Sequence, residues 1–173
     1  MHERRAGASS VALDKDTILV AGGCDSINGE CIKSTEIVSN NQEPKRGPDL
    51  PFLVRGMRMV NVNKSTIIII GGQNDNSCNF TNSTFIIDPT NNFKMNEGPF
   101  MQEARYRHSC GKICINGKII VVAVGGYESN SVELLDLSSD QGWISGRHLK
   151  TIFIGKVKIK RKFTELCPTF FRC

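Results

Sequence analysis

A Gly-Gly pair follows an apolar run three times along the chain. Thr17–Ala21 leads into Gly22-Gly23, Thr66–Ile70 into Gly71-Gly72, and residues 119–124 into Gly125-Gly126, at spacings of 49 and 54 residues. Arg5, Arg55 and Arg105 recur at spacings of 50 and 50. Gly47-Pro48-Asp49-Leu50 returns as Gly98-Pro99-Phe100-Met101 and, degraded, as Gly146-Arg147-His148-Leu149, at spacings of 51 and 48. Three markers agreeing on one period define a repeat architecture, in which a single unit cannot bury its own apolar surface and must stack on a neighbour.

Each unit reads as four short strands. The first covers residues 8–13, 58–62 and 109–115 and is followed by a polar turn such as Asp14-Lys15-Asp16 or Asn63-Lys64-Ser65. The second is the β-branched run, whose unbroken hydrophobicity predicts burial on both faces. Gly22, Gly23, Gly71, Gly72, Gly125 and Gly126 end these runs where the backbone needs positive φ or a close approach that a Cβ would block. The third strand alternates over residues 34–39, 83–88 and 131–136, and a weak fourth ends just before the Gly-Pro marker. Three residues ahead of that marker's Gly stand Pro44, Met95 and Trp143.

This pattern resembles the kelch repeat: an Arg and often a His near the start, an apolar strand capped by Gly-Gly, a further strand ending in Asp, and a Trp before Gly-Pro-x-Leu. Arg105-Tyr106-Arg107-His108, Gly125-Gly126, Val132-Glu133-Leu134-Leu135-Asp136 and Trp143 carry the likeness best. The first unit departs from it at Pro44 and Ser39, the second at Met95. The resemblance covers residues 4–149 and implies an all-β fold, a β-propeller in which each repeat is one four-stranded blade. Its units are 1–51, 52–101 and 102–150, with a divergent basic tail at 151–173. Propellers close with about four to eight blades, so three blades make about half of a six-bladed ring. A fragment, a strained arc, or a homodimer closing two half-rings would each accommodate that.

Charge sharpens the tail's boundary. Residues 1–150 balance their acidic and basic groups, so the net +5 comes from Lys156, Lys158, Lys160, Arg161, Lys162 and Arg172 against Glu165. A neutral body argues against a nucleic-acid-binding core. In the tail, lysines alternating with Val157 and Ile159 suit a guarded edge strand better than a membrane-surface segment. The stretch at 119–124 is too short to span a membrane, and 1–10 leads into no signal-peptide core. The expectation is a cytoplasmic protein whose seven cysteines are free thiols. Cys24 and Cys31 flank a Gly-containing loop and could meet in a disulfide. The sequons at Asn63, Asn79 and Asn82 leave an extracellular location open.

Candidate sites divide by chemistry. His108, Cys110 and Cys114 share one strand face, but Cys110 and Cys114 would lie roughly 13 Å apart there, too far for one tetrahedral zinc, so no metal is expected. Nothing resembles a catalytic constellation, and neither catalytic residues nor cofactors are expected. Copper oxidases and plant specifier proteins are the enzymes that the resemblance offers as a rival. Arg55, Arg58, Arg105, Arg107 and His108 stand at blade starts. By the resemblance these positions lie near the face on which kelch propellers bind peptides, and guanidinium groups there suit carboxylates through bidentate pairs. The alternative is that each Arg holds its own blade together through backbone carbonyls. The function expected is non-catalytic binding of a protein or peptide partner of acidic character. Relatives of ubiquitin ligase substrate adaptors are the nearest comparison within the resemblance, although the BTB and BACK domains of such adaptors are not in this sequence. Actin or cytoskeletal binding is the second interaction reading.

Overall fold

The computed structural model describes residues 1–25, 27, 29–74 and 79–146. Readings that fall on Cys78, Cys167, Cys173, Arg147-His148 and the tail lie outside those residues. The described residues contain strands and loops and no helix.

The first sheet contains β1 (Ser9–Ala12), β2 (Thr17–Ala21), β3 (Thr35–Ser39) and β4 (Lys45–Arg46), antiparallel and in chain order. A short strand, β5 (Val54–Arg55), precedes the second sheet, which contains β6 (Arg58–Asn63), β7 (Thr66–Ile70), β9 (Thr84–Asp88) and β10 (Lys94–Glu97). Between them β8 (Gln73–Asn74) returns to pair with β5. The third sheet contains β11 (Ser109–Ile115), β12 (Lys118–Val124), β13 (Val132–Asp136) and β14 (Trp143–Ser145). Three four-stranded antiparallel sheets, as the repeat predicts, therefore follow one another, and they do not close into a ring.

The turns explain themselves in side-chain chemistry. Asn63 Oδ1 accepts the Ser65 backbone N–H at 2.9 Å, and Asp88 and Asp136 accept those of Thr90 and Ser138 at 2.9 and 2.8 Å. An Asp that ends the third strand thus stabilises the turn into the fourth through its own carboxylate. The Gly-Pro marker has a similar basis. Thr35 and Thr84 hydroxyls donate to the Pro48 and Pro99 carbonyls at 2.8 and 2.6 Å. In the third unit Val132 stands at the Thr position and supplies no hydroxyl for that contact.

The core lies between sheets. On β7, Ile67 and Ile69 pack with Leu19 and Ala21 of the first sheet, while Ile68 and Ile70 pack with Val121 and Ala123 of the third. Burial on both faces is why this run shows no polar alternation. Among the described residues only one face of β2 meets a neighbouring sheet, and Ile18 on the other is 39% exposed. The first strands of successive sheets lie side by side, β1 against β6 and β6 against β11. Ser9 Oγ accepts the Met59 N–H at 3.0 Å, Asn61 donates to the Ala12 carbonyl at 2.7 Å, and Lys112 to the Val62 carbonyl at 2.8 Å.

The Gly-Gly pairs join one unit to the next. Gly23 and Gly72 donate to the carbonyls of Val54 and Arg105, each at 2.8 Å. A Cβ on Gly22 would stand 2.6 Å from the Val54 carbonyl oxygen, and one on Gly71 2.6 Å from that of Arg105. Both glycines have positive φ, 63° and 57°. Conformation and clash act together, so Gly71→Ala should cost upward of about 2 kcal/mol. Gly117→Ala, at φ 77° but facing open space, should cost only about 1 kcal/mol. Urea unfolding of the two variants checks this ordering.

Candidate functional site

Two of the repeated arginines are buried polar centres. Arg105 is 1% exposed. Its guanidinium donates to the Gly125 carbonyl at 2.7 Å, the Ser131 carbonyl at 3.2 Å and Glu133 at 2.8 Å, with the Ser131 hydroxyl completing the set. Glu103 joins through Ser131 and, at 3.6 Å, through Arg105 itself. The first sheet repeats the arrangement. Arg5 donates to the Gly22 carbonyl at 3.1 Å, the Ser34 carbonyl at 2.7 Å and Glu36 at 3.1 Å, with Glu3 at 2.7 Å. Burial raises the Glu36 carboxyl, but donation from His2, Arg5 and Glu3 outweighs it and leaves the group below its ordinary range. Arg105, expected at a partner-binding face, therefore lies enclosed and donates within its own sheet.

The second unit does not contain this centre. Backbone partners establish the correspondence. Gly23 bonds Val54 as Gly72 bonds Arg105, so Val54, and not Arg55, stands at the position of Arg105. On the same register Phe85 replaces Glu36 and Glu133, and Phe52 replaces Glu3 and Glu103. The Phe52 and Phe85 rings meet at 4.7 Å, and Val54 is 1% exposed. An Arg between two carboxylates has become a Val beside two phenyl rings.

Arg55 is consequently one residue out of step with Arg5 and Arg105. Successive residues of extended chain point to opposite sides, and Arg55 lines a cleft of about 580 Å³ together with Arg58, Tyr106, Arg107 and Asp25. The cleft forms where the segments that lead into β1, β6 and β11 converge. Gly56 donates to the Gly7 carbonyl at 2.8 Å and Arg107 to the Gly56 carbonyl at 3.1 Å, a ladder linking equivalent positions of all three units. Without a Cβ, Gly56 leaves room for the Tyr106 ring, which would otherwise lie 2.3 Å away. Phe80 stacks on the Tyr106 ring with centroids 5.3 Å apart.

The cleft arginines are bound lightly. Arg55 donates from Nε to Gln73 at 3.0 Å, Arg58 to the Met57 carbonyl at 3.0 Å, and Arg107 lies over the Tyr106 ring at 5.0 Å. Among the described residues none of the three has an ion-pair partner. Among the described residues of the lining, Asp25 is the single acidic one. The disulfide Cys24–Cys31 closes the loop that supplies Asp25 and Gly29 to the wall. The two cysteines face each other across an antiparallel bridge, which corrects the expectation of free thiols at this pair. Cys110 and Cys114 are free, and burial pushes the Cys110 thiol up.

His108 is not part of the cleft lining. It is 1% exposed between the second and third sheets, and both ring nitrogens lack a partner among the described residues. The structure therefore places this residue, expected at a partner-binding face, in the interior. Burial, with help from Arg58 and Arg105, lowers its pKa to about 3. Trp143 is likewise a core residue, 4% exposed. Among the described residues no group of three or more His, Cys, Asp or Glu could hold a metal ion, and no helix is long and apolar enough to cross a membrane. No protein-family model matches the sequence, and no curated protein matches it.

Of the five residues singled out from sequence, then, Arg55, Arg58 and Arg107 come together, while Arg105 and His108 are enclosed. Tyr106, Asp25 and the Gly7–Gly56–Arg107 ladder were missed. A signal for the enclosed arginines was present: Glu3 and Glu103 precede Arg5 and Arg105 by two residues, and Arg55 has Leu53 there.

Two outcomes follow. Arg105→Gln strands buried Glu133 and should cost about 3 kcal/mol. Adding Glu103→Phe and Glu133→Phe, with Val at position 105 as in the second unit, should recover most of that loss in urea unfolding. His108 is neutral when folded, whereas the unfolded chain takes up a proton below its ordinary pKa of 6.5. Stability is therefore fully present above that value and falls as pH drops towards 3, by about 2 kcal/mol near pH 5. Melting curves across this range should lose that component of their slope in His108→Phe.

Proposed function

We propose that the chain is a non-catalytic interaction module of kelch type, three blades of a partial propeller, which engages an acidic segment of a partner protein in the arginine cleft. The observation that carries it is the convergence of Arg55, Arg58 and Arg107 without a carboxylate partner among the described residues, while Arg5 and Arg105 are fully matched. Unmatched guanidinium groups on a cleft wall offer planar, forked donors to a carboxylate pair. The lead segments that build the cleft are held by inter-unit backbone bonds, and a rigid scaffold under a polar cleft lowers the ordering cost of binding. The succession of four-stranded sheets with neighbouring first strands supports the propeller reading.

The test is fluorescence anisotropy with a dye-labelled triglutamate peptide and its triglutamine counterpart. The acidic peptide should bind, weaken as salt rises, and lose about tenfold in affinity in Arg58→Gln. Equal binding of the two peptides would overturn the proposal.

A further inference from the structure

Arg107 has a φ of 54°, in the left-handed region. That conformation is costly for a residue with a Cβ. The other two units show what the backbone prefers there. Gly7 and Gly56 occupy the equivalent rungs of the inter-unit ladder, with φ of 72° and 63°. The ladder bond is made by the Arg107 backbone N–H, so glycine would make it equally well. Holding the sheets together therefore gives no reason for a side chain at position 107. What the side chain does is visible: it is exposed, lies across the Tyr106 ring, and presents its guanidinium to the cleft. The contact with Tyr106 returns part of the strain and restricts where the guanidinium can sit, which lowers the cost of ordering it on a ligand.

We propose that Arg107 is the residue that selects carboxylate ligands in the cleft, retained against a backbone preference for glycine. The proposal rests on the cleft's being the binding site, and it adds a stability signature that the site reading alone does not require. Phe93 and Glu128 also have positive φ, but neither stands where the other units place glycine.

Four variants, melted and titrated with the dye-labelled triglutamate peptide, decide it. Arg107→Gly should melt at a higher temperature than the wild type and lose about tenfold or more in peptide affinity. Arg107→Ala should lose the same affinity without the gain in melting temperature, because the strain remains. Arg107→Lys, which retains charge but not the fork, should also lose affinity. If Arg107→Gly melts lower, the side chain is a structural brace on Tyr106 and the proposal fails. If Arg107→Gly binds as the wild type does while Arg58→Gln does not, the cleft is the site and Arg107 is not its selector. Wild-type protein that fails to bind the peptide overturns both the site and the selector.

Discussion

The absence of two Cβ atoms at the end of each second strand determines how one sheet can lie on the next. Gly22 and Gly71 press against a carbonyl oxygen of the following unit, and their neighbours Gly23 and Gly72 donate hydrogen bonds to the same carbonyls. The lead segment of each later sheet is thereby held at a set depth. Everything downstream of that contact inherits the spacing: the side-by-side first strands, the two-sided burial of β7, and the convergence of three lead segments on one cleft.

The same pocket beneath the lead segment is filled by two unlike chemistries. In the outer sheets an arginine and its carboxylates satisfy one another and the carbonyls that the Gly-Gly turn leaves open. In the middle sheet Val54, Phe52 and Phe85 fill the space with apolar surface. Paired buried charges and well-packed hydrocarbon can be close in net stability, so a repeat family can interchange them while its backbone stays the same. The interchange matters for charge distribution, since among its described residues the middle unit carries no buried carboxylate to engage a nearby guanidinium.

Much of the fold was legible because it is written in features that sequence displays directly. β-Branched runs, turn residues and paired glycines each have a local physical cause, and the three units repeat them. The site was legible only in part. Counting from marker to marker placed Arg55 with Arg5 and Arg105, yet the backbone bonds put Val54 in that company. The Gly-Gly spacing of 49 carries Arg5 to Val54 and the Gly-Pro spacing of 51 carries Val54 to Arg105, whereas a uniform count of 50 passes over the offset, which decides which side of an extended chain a residue occupies. Burial of His108 depends on what the adjoining sheet brings, a relation between units that the residue does not announce. The Cys24–Cys31 pairing depends on how its loop folds back, which spacing left open.

That one-residue offset has a meaning for how such chains change. Gly47 and Val54 are separated by the same number of positions as Gly98 and Arg105, so the lead segment keeps its length and only its residues differ. An arginine moved one place along such a segment passes from the enclosed side to the cleft side and leaves every strand where it was. In an array of near-identical units, two neighbouring substitutions in a joint are enough to turn a brace into a contact.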